Sequence, residues 1–225
     1  MVRRGSTRTD PASEGLVVRY ETTLTSERYV TEQAWRAASL ERCPLHPEGG
    51  CGLAGHGSYG RVRPVGVRVA RFWCPRARVT ISLLPDFLAS RLSGTLEEVE
   101  RAVEVAESAK SLEAVAEKVR PAIAADAVTL PSALRWLRRR RVAVHAALVA
   151  AVTLVPALTG CPATLGAVRQ RLGVSDALVA LRSAAAIHLA AMPAPVGLRA
   201  RGRARQASRE PTPHETGPDP PRRDR

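Results

Sequence analysis

Three cysteines and a histidine fall within residues 43–74: Cys43-Pro-Leu-His46, then Cys51-Gly, then Cys74-Pro behind Arg71-Phe72-Trp73. Thiolate sulfur and imidazole nitrogen are the donors that zinc takes in fours, and Pro or Gly beside each cysteine permits the tight knuckles that turn such ligands inward. Cys43, Cys51 and Cys74 offer three ligands, with His46 as the fourth and His56 as its alternative. Two cysteine knuckles on either side of a short β-like stretch is the layout of a zinc ribbon. The chain departs from it twice, because seven residues separate Cys43 from Cys51 and because the position three after Cys74 is Ala77. The competing reading is a small β element packed by Phe72, Trp73 and Leu83 without metal.

The second chemical feature is Trp136-Leu-Arg-Arg-Arg-Arg141, preceded by Arg135. On a helix, consecutive arginines spread around a turn, so some face solvent and can neutralise phosphates while Trp136 and Leu137 anchor the helix. Arg135, Arg138, Arg139, Arg140 and Arg141 are therefore the candidate nucleic-acid contacts, with Arg201, Arg203 and Arg205 adding sequence-independent attraction; a merely solvated face is the alternative. Gly55-His-Gly57-Ser-Tyr-Gly60 matches a phosphate-binding glycine string, but no apolar strand leads in and no helix follows, so it reads as a flexible turn.

Catalysis finds no support in the residue pattern. Asp176 is the one acid between Pro131 and Arg209, and His145, His188 and His214 stand alone. A site holding two metal ions needs several carboxylates, and that stretch cannot supply them. The expectation is a protein that is not an enzyme.

Those residues must be positioned by elements that composition and periodicity outline. The formal net charge of +13 is uneven: residues 1–130 hold 18 Lys+Arg against 16 Asp+Glu, and residues 131–225 hold 16 against 5. Codon bias in a chain without asparagine explains Arg over Lys but not the missing acids. No apolar segment follows the basic start, and a reducing, cytoplasmic setting is expected for clustered cysteines. Residues 1–15 read as disordered, Leu16–Tyr20 as a strand, and residues 25–40 as a helix. Residues 65–72 and 80–84 alternate as two strands of a hairpin with Cys74 at the turn. Thr95-Leu-Glu-Glu98 is a capping box opening a helix to about Ala109 that buries Leu96, Val99, Val103 and Ala106. Ser111 caps a second helix that stops before Pro121, and Pro131 opens a third. Val142–Leu158 is 17 residues long and almost wholly apolar, yet it is short for a membrane span, contains His145 and is broken by Pro156, so a buried core helix is expected. Thr164–Leu172, Gly173 and a second helix capped by Ser175 make a helix-turn-helix-like pair, although Arg182 stands where an aliphatic residue is usual. Cys161 reads as a buried apolar residue, and residues 193–225 as a disordered basic, Pro-rich tail.

Residues 43–61 and 71–88, Cys-Pro…Cys-Gly…His-Gly-x-Tyr-x-Arg and Arg-Phe-Trp-Cys-Pro…Ser-Leu-Leu-Pro-Asp-Phe-Leu, resemble the zinc-ribbon start of bacterial insertion-sequence transposases and their short relatives. The helices up to about residue 142 are similar to the helix-turn-helix that follows the ribbon there. The resemblance implies zinc at the ribbon and DNA at the helices. The expected fold is mainly α: a zinc-ribbon-like β element with a short helix over 16–92, then a helical bundle with helix-turn-helix character over 93–192. The expected function is non-catalytic DNA binding. The alternatives are a protein-interaction module or decayed mobile-element remnant without ligand, and, more weakly, a membrane-associated protein held by residues 142–158.

Overall fold

The structure is a computed structural model that describes residues 15–123 and 129–198. Among these, six α-helices accompany a four-stranded mixed sheet, so the fold is α+β and the expectation of a mainly α protein is corrected. The sheet was underestimated because one strand has a glycine-rich sequence that no periodicity rule marks. That strand, β2 (Ala54–Gly60), occupies the stretch expected to be a flexible turn. It forms because β3 (Arg68–Cys74) offers it a full ladder, with a bulge between Gly55 and Ser58 and with Tyr59 packed on the core. Partner and packing override local preference here.

The strand order is β1-β4-β3-β2, with β1 being Leu16–Tyr20 and β4 Val79–Pro85. β3 and β4 form the expected hairpin, closing at the Cys74–Val79 pair. β1 lies parallel to β4, Leu16 opposite Ile81, which makes the sheet mixed. Helix α1 is short, Ser26–Thr31, followed by a 3-10 turn Ala34–Arg36, because Gln33 takes a left-handed conformation at φ 50° and interrupts the expected longer helix.

Helix α2 (Leu96–Ser108) begins at the expected capping box, with Glu98 N–H donating to Thr95 Oγ1 at 3.0 Å and Thr95 N–H to Glu98 Oε2 at 2.8 Å. Its buried residues are Leu96, Val99, Val103 and Ala106, together with Glu100. Helix α3 (Leu112–Ile123) continues through Pro121 where a stop was expected. Helix α4 (Leu130–Leu154) joins into one element the two helices expected on either side of residue 141. No helix among the described residues is long and apolar enough to cross a membrane.

Helices α5 (Leu165–Leu172) and α6 (Ala177–Ala184) are joined through Gly173, left-handed at φ 65°. Ser175 does not cap α6. The α6 amides of Ala177 and Leu178 instead donate to the buried Glu100 carboxylate at 2.9 and 2.8 Å. Glu100 and Glu104 also hold Arg169, whose pKa is raised by the Glu104 hydrogen bond first and then by Glu100. A helix N-terminus attracts a carboxylate, and α2 supplies one across the packing interface.

One core runs through both halves of the chain, from Tyr29, Val69 and Leu84 in the β part to Leu96, Leu148, Leu181 and Val196. The expected tail begins inside this core: Val196 and Leu198 are buried, and residues 199–225, like the expected disorder at 1–14, lie outside the described residues. Arg182 is 1 % exposed at the centre. It donates to the carbonyls of Pro85, Asp86 and Leu88 after β4, and to Pro195 and Val196 near the chain's far end. Burial lowers its pKa to about 10, opposed by the charge of Asp86, which itself holds Arg19 through two hydrogen bonds of 2.7 and 2.9 Å.

Replacing Arg182 with leucine removes five hydrogen bonds and strips the Asp86, Leu88 and Val196 carbonyls of that donor, while Pro85 and Pro195 keep the amides of Leu88 and Ser90; each orphaned group costs about 1–3 kcal/mol before relaxation. Urea denaturation of Arg182→Leu is expected to show a loss of about 3–5 kcal/mol. A change below about 1 kcal/mol would mean that water reaches these carbonyls and that the arginine is not what joins the two segments.

Candidate metal centre and arginine cleft

The four residues that the sequence singles out are brought together. One ligand atom each from Cys43, His46, Cys51 and Cys74 lies within 4.8 Å of the others. His46 N–H donates to the Cys43 carbonyl at 3.0 Å, and Gly49 N–H to the His46 carbonyl at 2.9 Å, so residues 43–49 coil into a tight knuckle. Gly49 and Gly50 then adopt φ 85° and 68°, the left-handed turns that deliver Cys51 to the same point, and Gly supplies them without strain. Cys74 arrives from the end of β3.

The knuckle is thus Cys43-x2-His46 rather than Cys43-x7-Cys51, which explains the wide cysteine spacing. The second pair is Cys51 and Cys74, contributed by loop and strand. Ala77 is needed for nothing chemical; it packs against the Cys43–Cys51–Cys74–Ile81 cluster as an apolar side chain. His56 is exposed on β2, its ring 6.1 Å from that of Trp73, and is not part of the group.

His46 Nδ1 stands 3.6 Å from Cys43 Sγ and 3.4 Å from Cys74 Sγ. A tetrahedron built on ordinary zinc bond lengths has sulfur-to-nitrogen edges of about 3.6 Å, so the donor set fits such an ion in chemistry and in size. The three thiols are buried and unbridged, and His46 is half-buried. Burial raises the Cys43 thiol, but hydrogen bonding with His46, with the Leu45 amide and with the Cys74 and Cys51 thiols outweighs it and brings its pKa to about 7. Cys51 is raised, by burial first and by the neighbouring Cys43 and Cys74 thiols. A lowered Cys43 thiol beside a raised Cys51 thiol is an electrostatic arrangement that a bound cation would relieve. Cys161 lies elsewhere, buried in the main core.

The arginine run divides. Helix α4 buries Ala133, Leu137, Val144, Ala147 and Ala151 on one stripe, and Arg140 occupies the place in that stripe between Leu137 and Val144. Its guanidinium donates to the carbonyl and hydroxyl of Ser93 at 2.7 and 3.1 Å and lies 3.5 Å from the centroid of the Trp136 ring. Burial lowers its pKa to about 10; the charge of Glu98 opposes this, while Arg139 and Arg63 lower it further. Arg140, expected on the surface, is therefore a buried fastener between α4 and the loop after α2's approach segment, residues 90–94. The same stripe spacing in the sequence identifies it.

Arg135, Arg138, Arg139 and Arg141 are exposed. Arg135 and Arg139, one turn apart, face a cleft of about 470 Å³ that is also lined by Arg91, Ser93, Ser132 and Trp136. Arg135 is oriented by Ser132 Oγ at 3.1 Å. No acidic side chain lines this cleft among the described residues. Arg138 and Arg141 lie outside it. Arg201, Arg203 and Arg205 lie outside the described residues. The α5–α6 pair offers less than its sequence suggests. Ala177, Leu178, Leu181 and Arg182 of α6 are buried and its first amides are taken by Glu100, so Ser183 is the only polar side chain it turns outward. His145, expected in the core, is exposed.

No protein family, curated protein or solved structure matches the chain.

The division of the arginines has a measurable consequence. Arg140→Met is expected to lower the urea midpoint by an amount equivalent to about 1.5–3 kcal/mol, since it removes the two hydrogen bonds of a buried cation to Ser93. Arg138→Ala and Arg141→Ala are expected to stay within about 0.5 kcal/mol of the parent. Equal, small effects at all three positions would place Arg140 on the surface after all.

Proposed function

We propose that the chain is a non-catalytic DNA-binding protein whose N-terminal β part is held together by a structural zinc ion. The observation that carries the DNA reading is the cleft in which Arg91, Arg135 and Arg139 converge with no acid among its described lining residues. Arg140 stands behind them, its pKa lowered first by burial, with the charge of Glu98 opposing and those of Arg139 and Arg63 adding to the lowering. A phosphate seated there would give Arg135 and Arg139 an acceptor, and Ser132 orients Arg135 without neutralising it.

The zinc reading rests on a closed set of four protein donors. When bound, the ion would be held by Cys43, His46, Cys51 and Cys74 and would supply cross-linking rather than chemistry, because four protein ligands leave no open coordination position. That closure, and the lack of a carboxylate cluster in the arginine cleft, support a binding protein over an enzyme. The motif resemblance to the DNA-binding regions of insertion-sequence transposases points the same way, since the helices it covers, up to about residue 142, include the N-terminal half of α4.

Two measurements test these readings separately. Protein purified without chelator is expected to carry one zinc per chain by elemental analysis, and Cys74→Ser or His46→Ala to lose it along with a large part of the structural stability. Zinc-free protein with unchanged stability would leave only the packing reading. For DNA, fluorescence anisotropy with a short duplex is expected to give an affinity whose logarithm falls with log salt at a slope of about −3, the value for about three neutralised phosphates. Raising salt from about 50 to about 200 mM then costs about 40-fold. Arg139→Glu should weaken binding at least tenfold and flatten the slope by about one. Salt-independent affinity would sink the proposal.

A further inference from the structure

The metal-ligand set holds three thiols where a ribbon with two cysteine knuckles holds four, since Ala77 stands at the position of the last cysteine. Cys43, Cys51 and Cys74 are unbridged, and their sulfurs lie within 4.8 Å of one another. The three are not equivalent. Cys43 belongs to the knuckle: it forms a β-bridge with His46, whose Nδ1 lies 3.6 Å from Cys43 Sγ. Cys74 ends β3 and is held to β4 opposite Val79. Cys51 is carried by a glycine-rich segment in which Gly49, Gly50 and Gly52 take φ 85°, 68° and 69°. A Cβ built on Gly49 or Gly50 meets no atom within 4 Å, so no packed neighbour confines the approach to Cys51. A Cβ on Gly52 would stand 3.2 Å from Pro75 Cγ, so the residue after Cys51 already lies against the residue after Cys74.

We propose that a peroxide converts Cys51 and Cys74 into a disulfide, and that this bond dismantles the four-donor set reversibly. The consequence, zinc release, rests on the metal reading; the pairing rests on the thiols alone. A disulfide needs Cα atoms about 4.4–6.8 Å apart, so one backbone must adjust to the other. The glycine-flanked Cys51 segment has the room to do so, whereas Cys43 and Cys74 are each tied by a bridge or a ladder. Cys51 is also the most open of the three, 6 % exposed against 2 % for Cys43 and 0 % for Cys74, and so meets the oxidant first.

The Cys51 sulfur attacks one peroxide oxygen, the O–O bond breaks, and the departing hydroxide leaves as water with the thiol proton; Cys51 becomes a sulfenic acid. The Cys74 sulfur then attacks the Cys51 sulfur, the S–O bond breaks, and the hydroxyl leaves with the Cys74 proton as a second water. Two thiols give up two electrons, and one peroxide is reduced to two waters. The bond takes two of the four ligands and leaves Cys43 with His46, too few for a closed zinc site. With Ala77 in place of a fourth cysteine, Cys43 has no partner for a second disulfide. It stays a free thiol beside the first one, and thiol attack on a disulfide is the step by which such a bond is undone.

The test uses the full chain purified without chelator, treated with hydrogen peroxide and then alkylated in denaturant. Alkylatable cysteines are expected to fall from the four free ones to two, Cys43 and Cys161, as one zinc per chain passes to a chromophoric chelator. Trypsin separates residues 43–61 from residues 72–76, so the disulfide joins these two peptides, and fragmentation places it at Cys51. Dithiothreitol with added zinc is expected to restore four thiols and the metal. Four thiols after peroxide, sulfinic acid in place of a disulfide, a bridge that includes Cys43, or zinc retained despite the bridge overturns the proposal and leaves the metal reading intact. A Cys51–Cys74 bridge in a chain that carried no zinc before treatment does the opposite, upholding the pairing and overturning the metal reading.

Discussion

A guanidinium cannot shed its proton to enter a protein core, so it must bring acceptors with it. Arg182 meets that requirement entirely with main-chain carbonyls, one at the last residue of β4, two just after it and two from residues 195 and 196. Apart from Pro85 these carbonyls lie in turns and loops outside the helices and the sheet, and a buried turn without a ladder needs other donors. The arginine thus decides where the chain can go after the sheet ends and where it must return after α6. The loop it fixes carries Asp86, which binds Arg19 and ends the parallel β1–β4 pairing, and leads directly into the capping box of α2. Sheet, bundle and C-terminal segment form one core because a single charge is shared among their ends.

The same logic recurs at smaller scale. Glu100 fixes the α5–α6 pair to α2 by taking the orphan amides of α6, and Arg140 fixes the start of α2 to α4 through Ser93. In the N-terminal β region Ile81 is the one aliphatic residue buried with the three cysteines. So few buried apolar groups contribute little burial energy, at about 25 cal/mol per Å². A metal ion on Cys43, His46, Cys51 and Cys74, which lie close enough to hold one, would add a cross-link to that packing.

Much of this was legible. Thr95 and Glu98 at capping-box spacing, Leu16–Tyr20 as a strand, the β3–β4 hairpin with Cys74 at its end and the Cys/His quartet all stand where residue types place them. What was hidden has two physical causes. β2 is a strand because β3 lies beside it, and no property of Ala-Gly-His-Gly-Ser-Tyr-Gly announces that partner. Glu100, Arg140 and Arg182 were misplaced or underused because charge is read first as exposure, yet each sits at a stripe position flanked by buried apolar residues three or four places away. A charged residue in phase with an apolar stripe is a signal of a buried fastener, and in this chain it identifies all three.

That sorting changes the meaning of the basic second half. Codon bias can place arginine anywhere, but it cannot choose which arginines acquire partners. Arg140, Arg169 and Arg182 are consumed by the fold, through serine, glutamate and backbone carbonyls respectively. What remains exposed on α4 is a smaller set, Arg135, Arg138, Arg139 and Arg141, of which Arg135 is oriented by Ser132. Keeping arginines close without acids works against folding, because their repulsion is present in the compact state and relaxed in the unfolded one. A protein that uses glutamate to satisfy Arg169 had the same means available for the α4 cleft, and its described lining has none. Arg135 and Arg139 thus face the cleft where α4 meets the loop pinned by Arg140, and no acidic residue is among its described lining.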